Sequence, residues 1–130
     1  MRKVKFRAYH RKNKEIYPVV FLNIEKNIIC ICSEKTINGG WYRNVSGFEI
    51  VLLQFTGFKD NFEIEIYEND IVEYRDGEFS FKGVVTHSPF GWYIKGTDDN
   101  FTFEDFANEV TGEANCYVIG NIYGAEVIGG

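Results

Sequence analysis

The chain has little of what zinc sites, secretory frameworks and common enzyme signatures require. Its 130 residues include two histidines and three cysteines. His10 and His87 are isolated, and neither stands at zinc-ligand spacing from a cysteine. An odd cysteine count without an export signal reads as reduced thiols rather than a disulfide framework. Cys30 and Cys32 alternate with Ile29 and Ile31, the pattern of a buried strand. The longest apolar runs, "VVFL" and "IICIC", fall far below the roughly 20 residues of a membrane span. The opening "MRKVKFRAYH" is charged but alternates at once, without the apolar segment of a signal peptide. A soluble protein of the cytoplasm is therefore expected, with no membrane partner. Gly-x-Ser-x-Gly, the phosphate loop, Gly-x-Gly-x-x-Gly and His-Glu-x-x-His are all missing, as is any acid two residues ahead of a lysine. A Cys116–His87 pair would have nothing in the sequence to activate it. These absences argue against an enzyme and point to no cofactor or metal.

What is present suits a packed β protein. Apolar residues make up 45% of the chain and aromatic ones 17%, with twelve Phe and eight Tyr, a composition that leans toward strands. Val4, Phe6 and Ala8 alternate with Lys3, Lys5, Arg7 and Tyr9, the period of a half-buried strand. "IYPVVFL" and "NIICICS" read as a strand pair, "EKTINGGWYRN" as a surface loop, and "FEIVLLQF" as a more fully buried strand. Phe62, Ile64 and Ile66 alternate with Glu63 and Glu65. Asp76-Gly77 in "RDGE" suits a type I′ hairpin, so "FSFKGVVTH" and then "WYIK" follow as strands of a meander. Phe103, Phe106, Ala107 and Val110 fall at helical spacing, with Thr102 to cap the start and Gly112 past the end, which predicts one amphipathic helix at about 103–111. "CYVIGNIY" reads as a last strand and "GAEVIGG" as a frayed tail.

Two charge patterns invite functional readings. "EIYENDIVEY", residues 65–74, carries Glu65, Glu68, Asp70 and Glu73. A Mg²⁺-dependent hydrolase would need such acids to converge, but they lie on two strands and a turn. The turn explains more: Asn69 tolerates a left-handed conformation, and the Asp70 carboxylate can bind nearby backbone amides. At the other end, the first fourteen residues hold seven basic side chains and no acid, leaving seven basic against nineteen acidic in the rest. Lys3, Lys5 and Arg7 on one strand, with Arg11, Lys12 and Lys14 in the following loop, could track a phosphate backbone. Tyr9, Trp41, Tyr42, Trp92 and Tyr93 are available to stack on bases. A solvated face, or pairing with Glu63 and Glu65, explains the same row more simply.

Five stretches occur in an order that resembles the YopX-like family of bacteriophage and prophage proteins. They are "KFRAYH" (5–10), "LLQFTGFKD" (52–60), "EIYENDIV" (65–72), "GVV" (83–85) and "VIGNIY" (118–123). The resemblance spans nearly the whole chain. It implies a phage or prophage origin and a mainly β, α+β fold. That fold has an N-terminal β-rich lobe over 1–61 and an SH3-type small barrel over 62–130, packed as one unit. It implies no activity and no catalytic residue. Gln54, Thr56 and Gly57, then Tyr67 and Asp70, then Gly120, Asn121 and Tyr123 would serve as structural signature positions. The chain departs from the pattern at Asn69, where glycine is usual, at Phe62-Glu63 in place of an Asn-Gly-like turn, at His10 for aspartate, and at Gly124.

The expected function is that of a non-enzymatic phage accessory protein that binds a host or phage protein. Tyr74, Trp92 and Tyr93, aromatics beside barrel turns, are the candidate contacts, although core packing would explain them equally well. A nucleic-acid binder using the basic row is the alternative, and the metal-dependent hydrolase a weaker one. Exposed edge strands would also permit self-association.

Overall fold

A computed structural model describes residues 5–33, 40–97, 99–105 and 107–129. Lys3 and the first part of the expected loop at 34–44 lie outside them. Strands dominate, and among the described residues no helix is long and apolar enough to cross a membrane. The chain divides into two compact units. Lys5–Gln54 with the stretch from Ala125 forms one, and Phe55–Gly124 the other.

The first unit is built on β1 (Phe6–His10), β2 (Glu15–Asn23), β3 (Ile28–Cys32), β4 (Tyr42–Ser46) and the first half of β5 (Ile50–Lys59). β1 lies between β2 and β5, antiparallel to both, with Ala8 opposite Tyr17 and Leu52. β2 and β3 pair as the alternation predicts, and β4 adds to β3 with Val45 opposite Ile29. "WYRN", expected in a loop, is thus mostly strand. Ala8, Tyr17, Ile29, Ile31, Val45 and Ile50 form the core. Arg7 breaks the expected alternation, being only 8% exposed. Its neighbours across the two ladders are Pro18 and Leu53, which shield an interior strand on that face. The last strand, Glu126–Val127, runs parallel to β2 beside Glu15 and Ile16, and the Ile128 amide donates to the Ile16 carbonyl at 2.7 Å. "GAEVIGG" is therefore not a frayed tail. Ile128 packs on the core, and that burial supplies what a frayed end lacks.

In the second unit, β7 (Asp70–Asp76), β8 (Phe79–Ser88) and β9 (Gly91–Lys95) form the expected meander. β10 (Asn100–Thr102) extends it beyond β9, and β13 (Tyr117–Asn121) pairs with β7 at the other side. β6 (Glu65–Tyr67) and β12 (Glu113–Ala114) pair with the second half of β5, and β11 (Ala107–Asn108) pairs with β12. The core holds Phe58, Ile66, Val72, Val85, Ile94, Phe103, Ala114 and Cys116. Gly83 sits where any Cβ would strike Ile94 and the Lys95 carbonyl, so only glycine lets β8 approach β9 there.

Four expectations fail in this unit. The SH3-type barrel is replaced by an open sheet. Closure requires a staggered ladder around the whole ring, but β10 has three residues and ends in a 3-10 turn, Phe103–Asp105. Among the described residues, which leave out Phe106, the amphipathic helix at 103–111 is also absent. Asn108 Oδ1 accepts from the amides of Val110 (2.9 Å) and Thr111 (3.3 Å), Gly112 takes φ 73°, and Val110 is 95% exposed. Local side-chain bonding wins over helix there. The alternation at 62–66 fails for a related reason. Asp60 Oδ1 accepts from the amides of Phe62 (2.8 Å) and Ile64 (2.9 Å), drawing the chain into a tight turn with Glu63 at φ 63°. Phe62 and Ile64 are left exposed. The β7–β8 hairpin also differs in type. Asp76 faces Phe79, so Gly77 and Glu78 make the turn, and positive φ falls on Gly77 alone, the type II′ pattern.

Candidate functional site

The turn Ser88-Pro89-Phe90-Gly91 shapes one side of the second unit. Ser88 Oγ donates to the Gly91 carbonyl at 2.9 Å and accepts from the Phe90 amide at 3.2 Å, while Gly91 takes φ 120°. This turn holds Phe90 wholly in solvent. Beside it Trp92 and Tyr93 leave β9 half-buried, and Trp92 lies against His87 with ring centroids 4.5 Å apart. Phe58 and Phe103 stack at 5.3 Å beneath. Phe90, Trp92, Tyr93, Phe58 and Phe103, together with Phe101 of β10, line a groove of about 510 Å³.

A second pocket, of about 360 Å³, is lined by Tyr74, Phe81, Phe101 and Asp105. Tyr74 and Phe81 are partners across β7 and β8. The Phe81 and Phe101 rings meet at 65° with centroids 4.3 Å apart. A Cβ at Gly96 would collide with the Phe81 ring, so the bare backbone of that turn makes room for it. Phe101 lines both cavities. The structure thus sets Trp92 and Tyr93 in one cavity and Tyr74 in the other. Phe101, Phe81 and Asp105 were not singled out from the sequence, because only the strand register reveals that they meet.

The basic row does not form a single exposed face. Lys5 is half-buried, Arg7 buried, and Arg11, Lys12 and Lys14 exposed in the turn from β1 to β2. His10, next to that turn, is buried. Its Nδ1 accepts from the Asn13 amide at 3.1 Å, and its Nε2 lies 3.0 Å from Arg43 Nη2. Burial first, then the Arg43 charge, hold its pKa below the ordinary 6.5.

Within "EIYENDIVEY", Asp70 and its neighbour Asn69 make a joint in the backbone. Asp70 Oδ2 accepts from the Tyr67 amide at 2.8 Å, and Asn69 takes φ 68°. The Asn69 amide donates to Val85 and its carbonyl accepts from Ile122, while its Nδ2 donates to the Tyr123 hydroxyl at 3.0 Å. Asn121, opposite Asp70 across the ladder, accepts from the Tyr123 amide at 3.1 Å. Glu73 is engaged by Arg75 and, at 3.7 Å, by Lys82. Among the described residues no group of three or more His, Cys, Asp or Glu could hold a metal ion. Of the other signature positions, Thr56 donates to the Ile66 carbonyl at 2.7 Å and accepts from the Phe58 amide, bridging a shift in the β5–β6 register. Gly57 takes φ 90° beside it. Gln54 and Gly120 lie within β5 and β13.

Asp60, the last residue of "LLQFTGFKD", carries no role in the sequence pattern. It is 2% exposed, and besides the two amides already described its Oδ2 accepts from Val118 at 2.9 Å. The Asp-x-x-x-Ile spacing carries a local signal for the first two bonds, but the third comes from far along the chain. Cys116 is buried near it, and desolvation, then the Asp60 charge, push its thiol up to about 12.

The family model described as YopX protein matches residues 5–126. The crystal structure of protein EF1440 from Enterococcus faecalis is similar in fold, with a TM-score of 0.63 at 21% identity, covering 95% of this chain and 96% of that one. No curated protein matches.

Proposed function

Since this chain belongs to the YopX protein family, we propose that it is a phage- or prophage-encoded accessory protein working in the host cytoplasm. It performs no chemistry of its own and acts by binding a host or phage protein. The observation that supports this reading is the aromatic groove beside β10, an edge strand of its sheet among the described residues. An extended peptide added along such a strand forms backbone hydrogen bonds and places alternate side chains into neighbouring pockets. Phe90, fully exposed at the rim, is the kind of aromatic anchor that interfaces cover.

The test is a tagged pull-down from cells carrying the induced phage, with and without nuclease, using the wild-type chain and Phe90→Ser. Phe90 makes no core contact, so the variant keeps the fold. A defined protein that survives nuclease and is lost with Phe90→Ser supports the reading. Partners that all vanish with nuclease overturn it in favour of a second reading, nucleic-acid binding through exposed Arg11, Lys12 and Lys14. That reading is favoured by the exposure of these three side chains on one turn. It predicts a salt slope that falls when they are replaced by Gln.

A further inference from the structure

We propose that the Tyr74–Phe81–Phe101–Asp105 pocket receives an arginine side chain. The interaction-module reading supplies only the source of that arginine, a protein partner. Among the described residues three aromatic rings and one carboxylate line the pocket, and no basic side chain does. The near-perpendicular Phe81 and Phe101 rings form a corner of two aromatic walls. Aromatic faces carry negative potential and attract a cation placed within about 6 Å of the ring centre. Arginine suits such walls better than lysine, because its flat guanidinium stacks on rings and sheds water more readily. Asp105, exposed at the pocket, offers the planar carboxylate with which a guanidinium makes paired hydrogen bonds.

The charge of the surrounding unit selects the same occupant. Residues 55–124 hold fourteen of the nineteen acidic side chains and only four of the fourteen basic ones. The field over this unit therefore repels an anionic ligand and draws a basic segment toward it. Glu109 lines the adjoining groove, and Phe101 is common to both cavities. A peptide lying along β10 would thus set an apolar side chain in the groove and an arginine in the pocket.

The experiment is an NMR titration of the full chain with the capped peptide Gly-Gly-Arg-Gly-Gly and with its citrulline counterpart, which keeps the shape and loses the charge. The arginine peptide is expected to shift the resonances of Phe81, Phe101 and Asp105 and to bind about tenfold more tightly than the citrulline peptide. Asp105→Asn, a change at an exposed side chain, is expected to weaken arginine binding several-fold. Phe101→Leu is expected to weaken it as well while keeping an apolar wall. Equal binding of the two peptides overturns the proposal, as does binding indifferent to Asp105→Asn or shifts confined to other acidic surface. The outcomes for the two readings separate cleanly. Arginine-specific shifts at the pocket in a chain that captures no protein would uphold the pocket and sink the module. Protein capture untouched by Asp105→Asn would do the reverse.

Discussion

Replacing Asp60 by asparagine should destabilise the Phe55–Gly124 unit far more than a one-atom change suggests. The carboxylate accepts three backbone amides, from Phe62 and Ile64 at Oδ1 and from Val118 at Oδ2, at 2.8 to 2.9 Å. An asparagine can keep its oxygen toward only one side. Turned to its best advantage, it retains the first two bonds as neutral ones and faces the Val118 amide with an NH₂ group, donor against donor. Weakening two charge-assisted bonds and leaving one amide unpaired costs about 3 kcal/mol. Alanine, which leaves all three amides without this acceptor, costs roughly 5 kcal/mol, comparable to the whole stability of a marginal domain. The assay is urea unfolding followed by tryptophan fluorescence in a Trp41→Phe background. The chain has two tryptophans, so Trp92 then reports on its own unit alone. With a slope of about 2 kcal/mol per molar urea, Asp60→Asn should lower the midpoint by about 1.5 M. A shift below about 0.3 M with an unchanged slope would refute the argument that this carboxylate ties the turn to β13.

Three further outcomes are expected. Asn69→Ala should cost about 1–2 kcal/mol in urea unfolding, because its φ of 68° strains any residue with an ordinary Cβ, whereas Asn69→Gly should lose little beyond the Tyr123 bond. Cys116, with its thiol pushed up to about 12 inside the core, should react with a disulfide reagent at pH 8 only as fast as the unit unfolds. Half-buried Cys30 should react sooner. His10 should make the first unit lose stability on acidification. Above 6.5 both folded and unfolded states hold a neutral ring; below it the unfolded chain takes up the proton first, because the folded pKa is lowered. Stability therefore declines as pH falls from 6.5 toward the folded value and levels off beneath it. Arg43, Lys12 and Glu49 are the charges around the ring, and His10→Gln should flatten the profile in a thermal-melt series.

Much of the strand framework was legible because burial on one face leaves an alternating trace. β3 and β8 follow it, β2, β7 and β9 were legible as short apolar or aromatic runs between turn residues, and the "EIYENDIVEY" turn carries its own local chemistry in Asn69 and Asp70. Expectations failed where a side chain captured backbone amides. Asn108 turned a helix-like spacing into a hairpin, and Asp60 folded back an alternating stretch. Both devices are short-range, but eight residues of apolar spacing look the same with or without them. The barrel failed for a different reason: closure depends on whether the outer strands meet, which no local pattern records. Tyr74, Trp92 and Tyr93 stood out as aromatics beside turns, but their separation into two cavities depends on cross-strand register. Arg7 looked like surface because charge usually is, and its burial follows from β1 being an interior strand.

The return of Glu126–Val127 to the side of Glu15 and Ile16 has a consequence for how the chain is made. During synthesis Lys5–Gln54 leaves the ribosome first, but one strand of its sheet is encoded after the whole of Phe55–Gly124. The earlier unit must wait, with the exposed side of β2 unsatisfied, until the later unit has been translated around it. Long-range closure of this kind slows folding and leaves an open edge exposed in the meantime. The intermediate most prone to clump on a crowded ribosome is therefore the earlier of the two units. A fusion partner placed directly after Ile128 would hinder that final docking more than one placed ahead of residue 5.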